Sequence, residues 1–141
     1  MNLLVKSKAE GRDVVALGEG VLEYVGFAAH RLSVGERLPV NAGDKELCLV
    51  LLSGRVSVSG QAPGQGSFNW ENIGDRQSVF EDKSPFAVYL PPSSQAQVTA
   101  LSAVQIAVCA APGDAAKDLP ARLIKPDTMK RSVRGKAANT R

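Results

Sequence analysis

The side chains able to do metal or nucleophilic chemistry are one histidine, His30, and two cysteines, Cys48 and Cys109, in a chain of 141 residues. His30 lies in the segment YVGFAAHRL, where alternation with Ala28 and Leu32 lets it point into a barrel. A metal or catalytic site needs several convergent groups, so this lone histidine favours a structural role. Both cysteines lie in apolar runs, which is typical of small buried side chains in a reducing compartment.

Other catalytic motifs are missing from the sequence. Neither serine nor cysteine occurs in a nucleophile-elbow pattern, and one histidine would have to serve any catalytic triad. The segment GQAPGQGS lacks the lysine and the following helix of a phosphate-binding loop. Hydrolase chemistry is therefore disfavoured. A metal site formed by His30, Cys48 and an acidic residue would match no known spacing of metal ligands.

Charge separates the body of the chain from its tail. The net charge is +3, but residues 117–141 carry 8 basic and 2 acidic side chains. The tail has no aromatic residue to stack on bases, so we expect no nucleic-acid partner. Its arginines, Arg134 and Arg141, are candidates for binding a substrate carboxylate, because guanidinium forms bidentate pairs with carboxylates. A solvated linker is the alternative interpretation.

Short strands dominate the readable elements. Period-2 alternation and turn clusters predict strands at 24–32, 46–52, 56–59, 77–80, 86–90, 96–101 and 104–110. Six or more short strands favour an all-β sandwich or small barrel, with a hairpin centred on Gly54. Residues 60–76 are predicted as a long Gly-rich loop in which Trp70 caps the core or, alternatively, stacks on a ligand.

The segment ELCLVLL, residues 46–52, is apolar on both of its faces. A half-exposed antiparallel strand does not need this, so we expect something to cover the outer face: another segment of the chain, a second domain or a homodimer partner. The opening MNLLVKSKAEGRD contains too few apolar residues for a signal peptide. No apolar stretch of the sequence approaches the roughly 18 residues of a membrane-spanning helix. The expectation is a cytoplasmic protein without a membrane partner.

The hairpin LCLVLLSGRVSVSG and the later segment VYLPPSSQAQVTA resemble the two motifs of the cupin superfamily. That resemblance implies an antiparallel jelly-roll barrel, the cupin double-stranded β-helix, followed by a mostly irregular basic extension. Counting the first motif from Gly35 assigns its two histidine positions to Asn41 and Gly43, and counting back from Gly54 assigns its glutamate position to Leu47.

The remaining motif positions carry no metal ligand either. Glu46 is one residue out of register and is expected on the other face of its strand. The second motif places Ala96 at its histidine and Ala100 at its asparagine. Because transition metals need well-placed nitrogen, oxygen or sulfur ligands, the sequence predicts a barrel without a metal or other cofactor.

Six further blocks, taken in order, resemble the N-terminal half of the 5-deoxy-glucuronate isomerase family of inositol catabolism. They are YVGFAAHRLSVGERL, ELCLVLLSGRVSVSG, SVFEDKSPFAVYLPP, AVCAAPG, LPARLIKP and VRGKAANTR. The resemblance implies a protein of two barrels in tandem, with a divalent metal in the second barrel. It also implies an aldose–ketose isomerisation, converting 5-deoxy-glucuronate to 5-dehydro-2-deoxy-gluconate.

Two hypotheses about function follow. In the first, residues 1–118 form a non-catalytic cupin barrel and residues 119–141 are a connector toward a second barrel, so that this chain alone is inactive. In the second, the chain is a free-standing homodimeric module that binds a small sugar acid. Both hypotheses require a partner for the outer face of residues 46–52, either the second cupin barrel or a second copy.

Overall fold

The computed structural model describes residues 12–15, 23–114, 117 and 119–135, which form two antiparallel sheets. Sheet A contains, in spatial order, β1 (Arg12–Val15), β2 (Gly26–Leu32), β9 (Val104–Pro112), β4 (Lys45–Ser53), β7 (Ala87–Leu90) and β10 (Arg122–Ile124). Sheet B contains β3 (Arg37–Asn41), β8 (Gln95–Ala100), β5 (Val56–Ala62) and β6 (Gly66–Ile73). From β2 to β5, and again from β6 to β9, successive strands alternate between the sheets, and the predicted all-β jelly roll is confirmed. The hairpin predicted at Gly54 is wrong, because β4 and β5 on either side of Gly54 lie in different sheets and do not pair.

The core lies between the two sheets. Alternate residues of each strand point inward, as the two-residue period of a strand requires. In β4 the inward residues Leu47, Leu49 and Leu51 are buried, and they pack with inward residues of sheet B such as Val58 and Val98 in one apolar cluster. Burial of this cluster is the main force that holds the sheets together.

The segment predicted as a loop at residues 60–76 contains strand β6. Phe68 and Ile73 are buried, but Asn72 adopts a φ of 54° and the register shifts opposite Val56. This bulge breaks the period-2 alternation, which is why the strand was hidden in the sequence. The Trp70 ring stacks on that of Phe68 with centroids 4.7 Å apart and packs against the core, which confirms the core-capping interpretation.

The strand predicted at residues 77–80 is wrong, because this segment forms a turn. The Glu81 carboxylate accepts hydrogen bonds from the backbone N–H groups of Gln77 and Ser78, and these bonds lower the pKa of Glu81. Phe80 is 94% exposed at the turn. Side-chain capping of the backbone competes with strand pairing here, and period-2 alternation does not detect it.

The first described part of the predicted connector packs on this barrel. Strand β10 pairs with β7 at the edge of sheet A. Ala121 is buried, and its backbone N–H donates to Gln65 Oε1 at 2.8 Å while Gln65 Nε2 donates to the Ala121 carbonyl at 3.3 Å. Further on, Arg131 is ion-paired with Asp82. The division of the chain at residue 118 stays a prediction.

Among the described residues, no helix is long and apolar enough to cross a membrane.

Candidate functional site

Four inward residues at the Asn41 end of the barrel are apolar. Val40 on β3 lies directly opposite Ala96 on β8, and both are buried. Ala42 and Leu47 are also buried in the same core cluster. These four side chains occupy the barrel wall at which the two motifs identified in the sequence converge.

The assignment of the first-motif positions to Asn41 and Gly43 needs a correction of one residue. Asn41 and Gly43 are exposed, whereas Val40 and Ala42 point inward. Gly35 has a φ of 86° in the turn before β3. The path from this turn to the first inward position is one residue shorter than the motif count, and one residue on a strand turns a side chain to the opposite face. Leu47 is buried and points inward, as its assignment to the glutamate position requires.

The corrected positions do not fit a metal ion. Valine, alanine and leucine side chains offer no nitrogen, oxygen or sulfur donor, and a metal would have to replace packed methyl groups. Across the part of the chain that the structure describes, histidine, cysteine, aspartate and glutamate nowhere form a group of three that could hold a metal.

The sequence candidates outside the motifs lie apart from these positions. His30 is half-buried on the inner face of β2, opposite Ile106. Cys48 and Cys109 lie directly opposite each other on the outer face of β4 and β9. Burial, with a smaller effect from the neighbouring Cys109, raises the pKa of the Cys48 thiol, so Cys48 is a poor nucleophile at neutral pH.

A polar pair that sequence reasoning did not find joins β4 to β7. The Tyr89 hydroxyl donates to Glu46 Oε2 at 2.9 Å. This contact confirms that Glu46 faces outward, away from the barrel interior. Tyr89 also lines a cavity of about 120 Å³ with Pro91, Pro92 and Asp114, among others. The sequence signal that could have pointed to this pair was the outward position of Glu46 on its strand. A partly buried carboxylate there is expected to accept a hydrogen bond from a neighbouring group outside the core.

We expect Tyr89 to ionise late in an alkaline titration. Burial, then the hydrogen bond to Glu46 and its charge, raise the pKa of Tyr89 to about 12. The neutral phenol is favoured in the folded state, so this stabilisation is present below about pH 10 and is lost as the pH rises toward 12. Tyrosinate absorbance of a Tyr24→Phe variant measures Tyr89 alone.

The matched variant adds Glu46→Gln, which should lower the midpoint of that titration because the carboxylate charge is removed. Circular dichroism at each pH reports whether the chain is still folded. An unchanged midpoint in the folded Glu46→Gln protein would show that Glu46 does not control Tyr89.

The outer faces of the two sheets differ in polarity. On sheet B the outward residues are polar, and the central strands contribute Ser57, Ser59, Gln95, Gln97 and Thr99. On sheet A the outward positions in the middle of β4 and β9 are apolar, namely Cys48, Val50, Ala107, Cys109 and Ala111, whereas Glu46 and Gln105 toward the strand ends are polar. We call this set the apolar face of sheet A. A solvated outer face is normally polar, so this face is suited to burial against another surface.

Of the two arginines proposed for a substrate carboxylate, the structure describes Arg134, which does not lie in the barrel's interior. Arg134 is exposed in the irregular segment that follows the turn Pro126–Thr128. Arg141 lies outside the described residues. Their role in binding substrate stays a prediction.

Comparison with solved structures defines the class of fold. An oxalate decarboxylase variant from Bacillus subtilis superposes with a TM-score of 0.56 at 14% identity, over 77% of this chain and 27% of that one, which shows a shared cupin barrel. An IolB-like protein from Salmonella typhimurium LT2 superposes with a TM-score of 0.84 at 35% identity, over 96% of this chain and 49% of that one. The protein has the cupin-type barrel fold.

Its family is equally clear. The model of the KduI/IolB family matches residues 3–141, and the chain belongs to that family. A 5-deoxy-glucuronate isomerase of Geobacillus kaustophilus is 40% identical over 127 residues, and one of Bacillus subtilis strain 168 is 32% identical over 120 residues. These matches cover 89% and 85% of this chain but 44% and 42% of the relatives. The chain spans less than half the length of these relatives.

A ligand graft tests the corrected register. We expect Val40→His, Ala42→His and Ala96→His, combined with Leu47→Glu, to bind Ni²⁺ or Mn²⁺, because these four positions share the barrel wall. Isothermal titration measures the affinity, and circular dichroism reports whether the variant is folded.

The matched control replaces Asn41 and Gly43 by histidine in place of Val40 and Ala42, with the other two changes kept. It should bind metal more weakly, since its first two imidazoles point away from the barrel. Equal affinity in two folded variants would contradict the corrected register.

Proposed function

We propose that this chain is the non-catalytic cupin half of a 5-deoxy-glucuronate isomerase. The observation that carries the proposal is the apolar set Val40, Ala42, Leu47 and Ala96 at the motif positions, in a chain whose curated relatives carry that enzyme name. An aldose–ketose isomerisation needs a group that polarises a carbonyl and a group that moves a proton between adjacent carbons. The four side chains can do neither.

The role left for this half is structural. It would pack against a second cupin barrel through the apolar face of sheet A and form one wall of the cleft in which the reaction takes place. The contrast between the apolar outer face of sheet A and the polar outer face of sheet B supports this choice of surface. A divalent metal would belong to the second barrel, and Arg134 or Arg141 would approach the substrate carboxylate there.

A chimera tests this role in a complete enzyme. In the isomerase of Geobacillus kaustophilus, the matched segment is replaced by this chain, which is 40% identical to it. We expect the chimera to keep isomerase activity within about tenfold of the parent. A segment with a purely structural role can lose some of its contacts with the catalytic barrel without removing any catalytic group. A folded chimera without activity would contradict the proposed role.

Two variants of the chimera then locate the interface. Val50→Lys places a charge in the middle of the apolar face and should abolish activity or assembly, because burying an unpaired charge is costly. Gln97→Lys makes the same change on the exposed face of sheet B and should be neutral. Equal activity of both variants would show that the apolar face of sheet A is not the docking surface.

The second candidate function is a homodimeric module that binds a small sugar acid. The same apolar face favours it, because a second copy would cover that face equally well. Light scattering of the isolated chain separates the candidates. A stable dimer that becomes a monomer on Val50→Lys would support the module, whereas a chain that binds hydrophobic dyes or associates without a fixed size would support the half-enzyme.

A further inference from the structure

A polar groove lies at the end of sheet A opposite to the motif positions. It has a volume of about 350 Å³ and is open to solvent. Its polar lining consists of Arg31, Ser33, Ser53, Gln77 and Gln105. We call it the Arg31 groove. Leu47 and Ser53 are at opposite ends of β4, so the groove is about 20 Å from the motif positions at 3.3 Å per residue.

Strand pairing aligns three of these side chains in one row. Arg31 on β2 lies directly opposite Gln105 on β9, and Gln105 lies opposite Ser53 on β4. The register shift after Leu51 brings Ser53 to this position. Side chains that are opposite each other on adjacent strands have Cβ atoms about 5 Å apart, so the three polar groups can contact one small molecule together. Ser33 and Gln77 add further polar groups from the loops.

The positive charge in this groove has no counterion among the described residues. Arg31 is exposed, and within the described ranges no carboxylate pairs with it and no hydrogen bond of its guanidinium is found. Two other arginines of the chain differ in this respect. Arg131 is paired with Asp82, and Arg76 donates to two backbone carbonyls. The Arg31 guanidinium therefore has its donors available to a ligand.

We propose that the Arg31 groove binds a small hydroxylated carboxylate of the aldonic-acid type. One guanidinium forms two parallel hydrogen bonds with one carboxylate, which matches the single positive charge of the groove. Amide and hydroxyl side chains both donate and accept, as the hydroxyl groups of such a ligand require. Gln105, next to Arg31 in the row, binds the hydroxyl adjacent to the carboxylate.

The proposal is tested by titrating gluconate into the purified chain and following backbone amide shifts by nuclear magnetic resonance. We expect saturable shifts centred on Arg31 and Gln105, and no such shifts with glucose, which lacks the carboxylate. Arg31→Gln should weaken gluconate binding about tenfold or more, the loss expected for hydrogen bonds to a charged group. Arg37→Gln, which removes an equally exposed arginine from sheet B, should leave the affinity unchanged.

A second variant separates a shaped site from simple charge attraction. Gln105→Ala should weaken gluconate binding while acetate binding stays unchanged, since acetate has no hydroxyl group. Gluconate shifts that are absent from the folded chain, that persist in Arg31→Gln, or that are equally weakened in Arg37→Gln would each overturn the proposal. The isomerase chimera does not depend on this result, so failure here and failure of the proposed function are distinguishable.

Discussion

Replacing Gly60 by alanine is expected to lower the free energy of unfolding by about 3 kcal/mol, the upper range for an overpacked core. Gly60 on β5 lies opposite Ala96 on one side and Phe68 on the other. A Cβ atom there would be 2.1 Å from the Gln95 carbonyl oxygen and 2.8 Å from both Ala96 Cα and Phe68 Cζ. Two of these three atoms belong to the backbone of β8, so a side-chain rotation cannot relieve the overlap.

Gly66→Ala is the matched control in the same hairpin. A Cβ atom at Gly66 would meet nothing within 4 Å, but its φ of 82° is unfavourable for alanine. The expected cost is therefore the backbone term alone, about 1 kcal/mol. Urea denaturation followed by circular dichroism compares the two. A Gly60→Ala protein as stable as Gly66→Ala would show that β8 can move aside.

Arg76→Met is expected to destabilise the chain by about 2 to 4 kcal/mol, because two backbone carbonyls lose a charged donor. Arg76 is only 9% exposed. Its Nε donates to the Leu52 carbonyl at 2.7 Å, and its terminal nitrogen donates to the Lys83 carbonyl at 2.9 Å. The Arg76 side chain thus links the turn at residues 77–83 to the end of β4 through these two hydrogen bonds.

The control for this second prediction is Arg55→Met. Arg55 is exposed, so the same change there should alter the stability by no more than about 0.5 kcal/mol. Thermal unfolding measured side by side gives the difference. If both variants unfold at the same temperature, the hydrogen bonds of Arg76 contribute nothing measurable to the fold.

Strands that are short apolar runs between turn signals were predictable from the sequence. Residues 46–52 and 104–110 were predicted as strands and belong to β4 and β9. Strand β6 was not predictable, because the bulge at Asn72 shifts that period. The position of β3 was also missed, since Pro39 and two polar residues at its ends conceal a strand whose inward side chain is Val40.

The candidate site was predictable in kind but not in register. The motif resemblance led to residues that lie together in the core, yet the path from the turn at Gly35 to the first inward residue of β3 is one residue shorter than the motif count. The count therefore named the exposed Asn41 and Gly43 in place of the inward Val40 and Ala42. The Arg31 row depends on which residues of β2, β9 and β4 lie opposite one another. Pairing between strands distant in sequence is set by the whole fold, and local patterns do not contain it.

The most direct test of the proposed non-catalytic role is to assay the purified chain alone for isomerisation of 5-deoxy-glucuronate, with and without added Mn²⁺ or Zn²⁺. We expect no enzymatic turnover in either condition, because the inward motif positions are apolar and offer no group for the reaction. Saturable turnover that copurifies with the chain and is lost on Leu49→Ala, which damages the core, would contradict it.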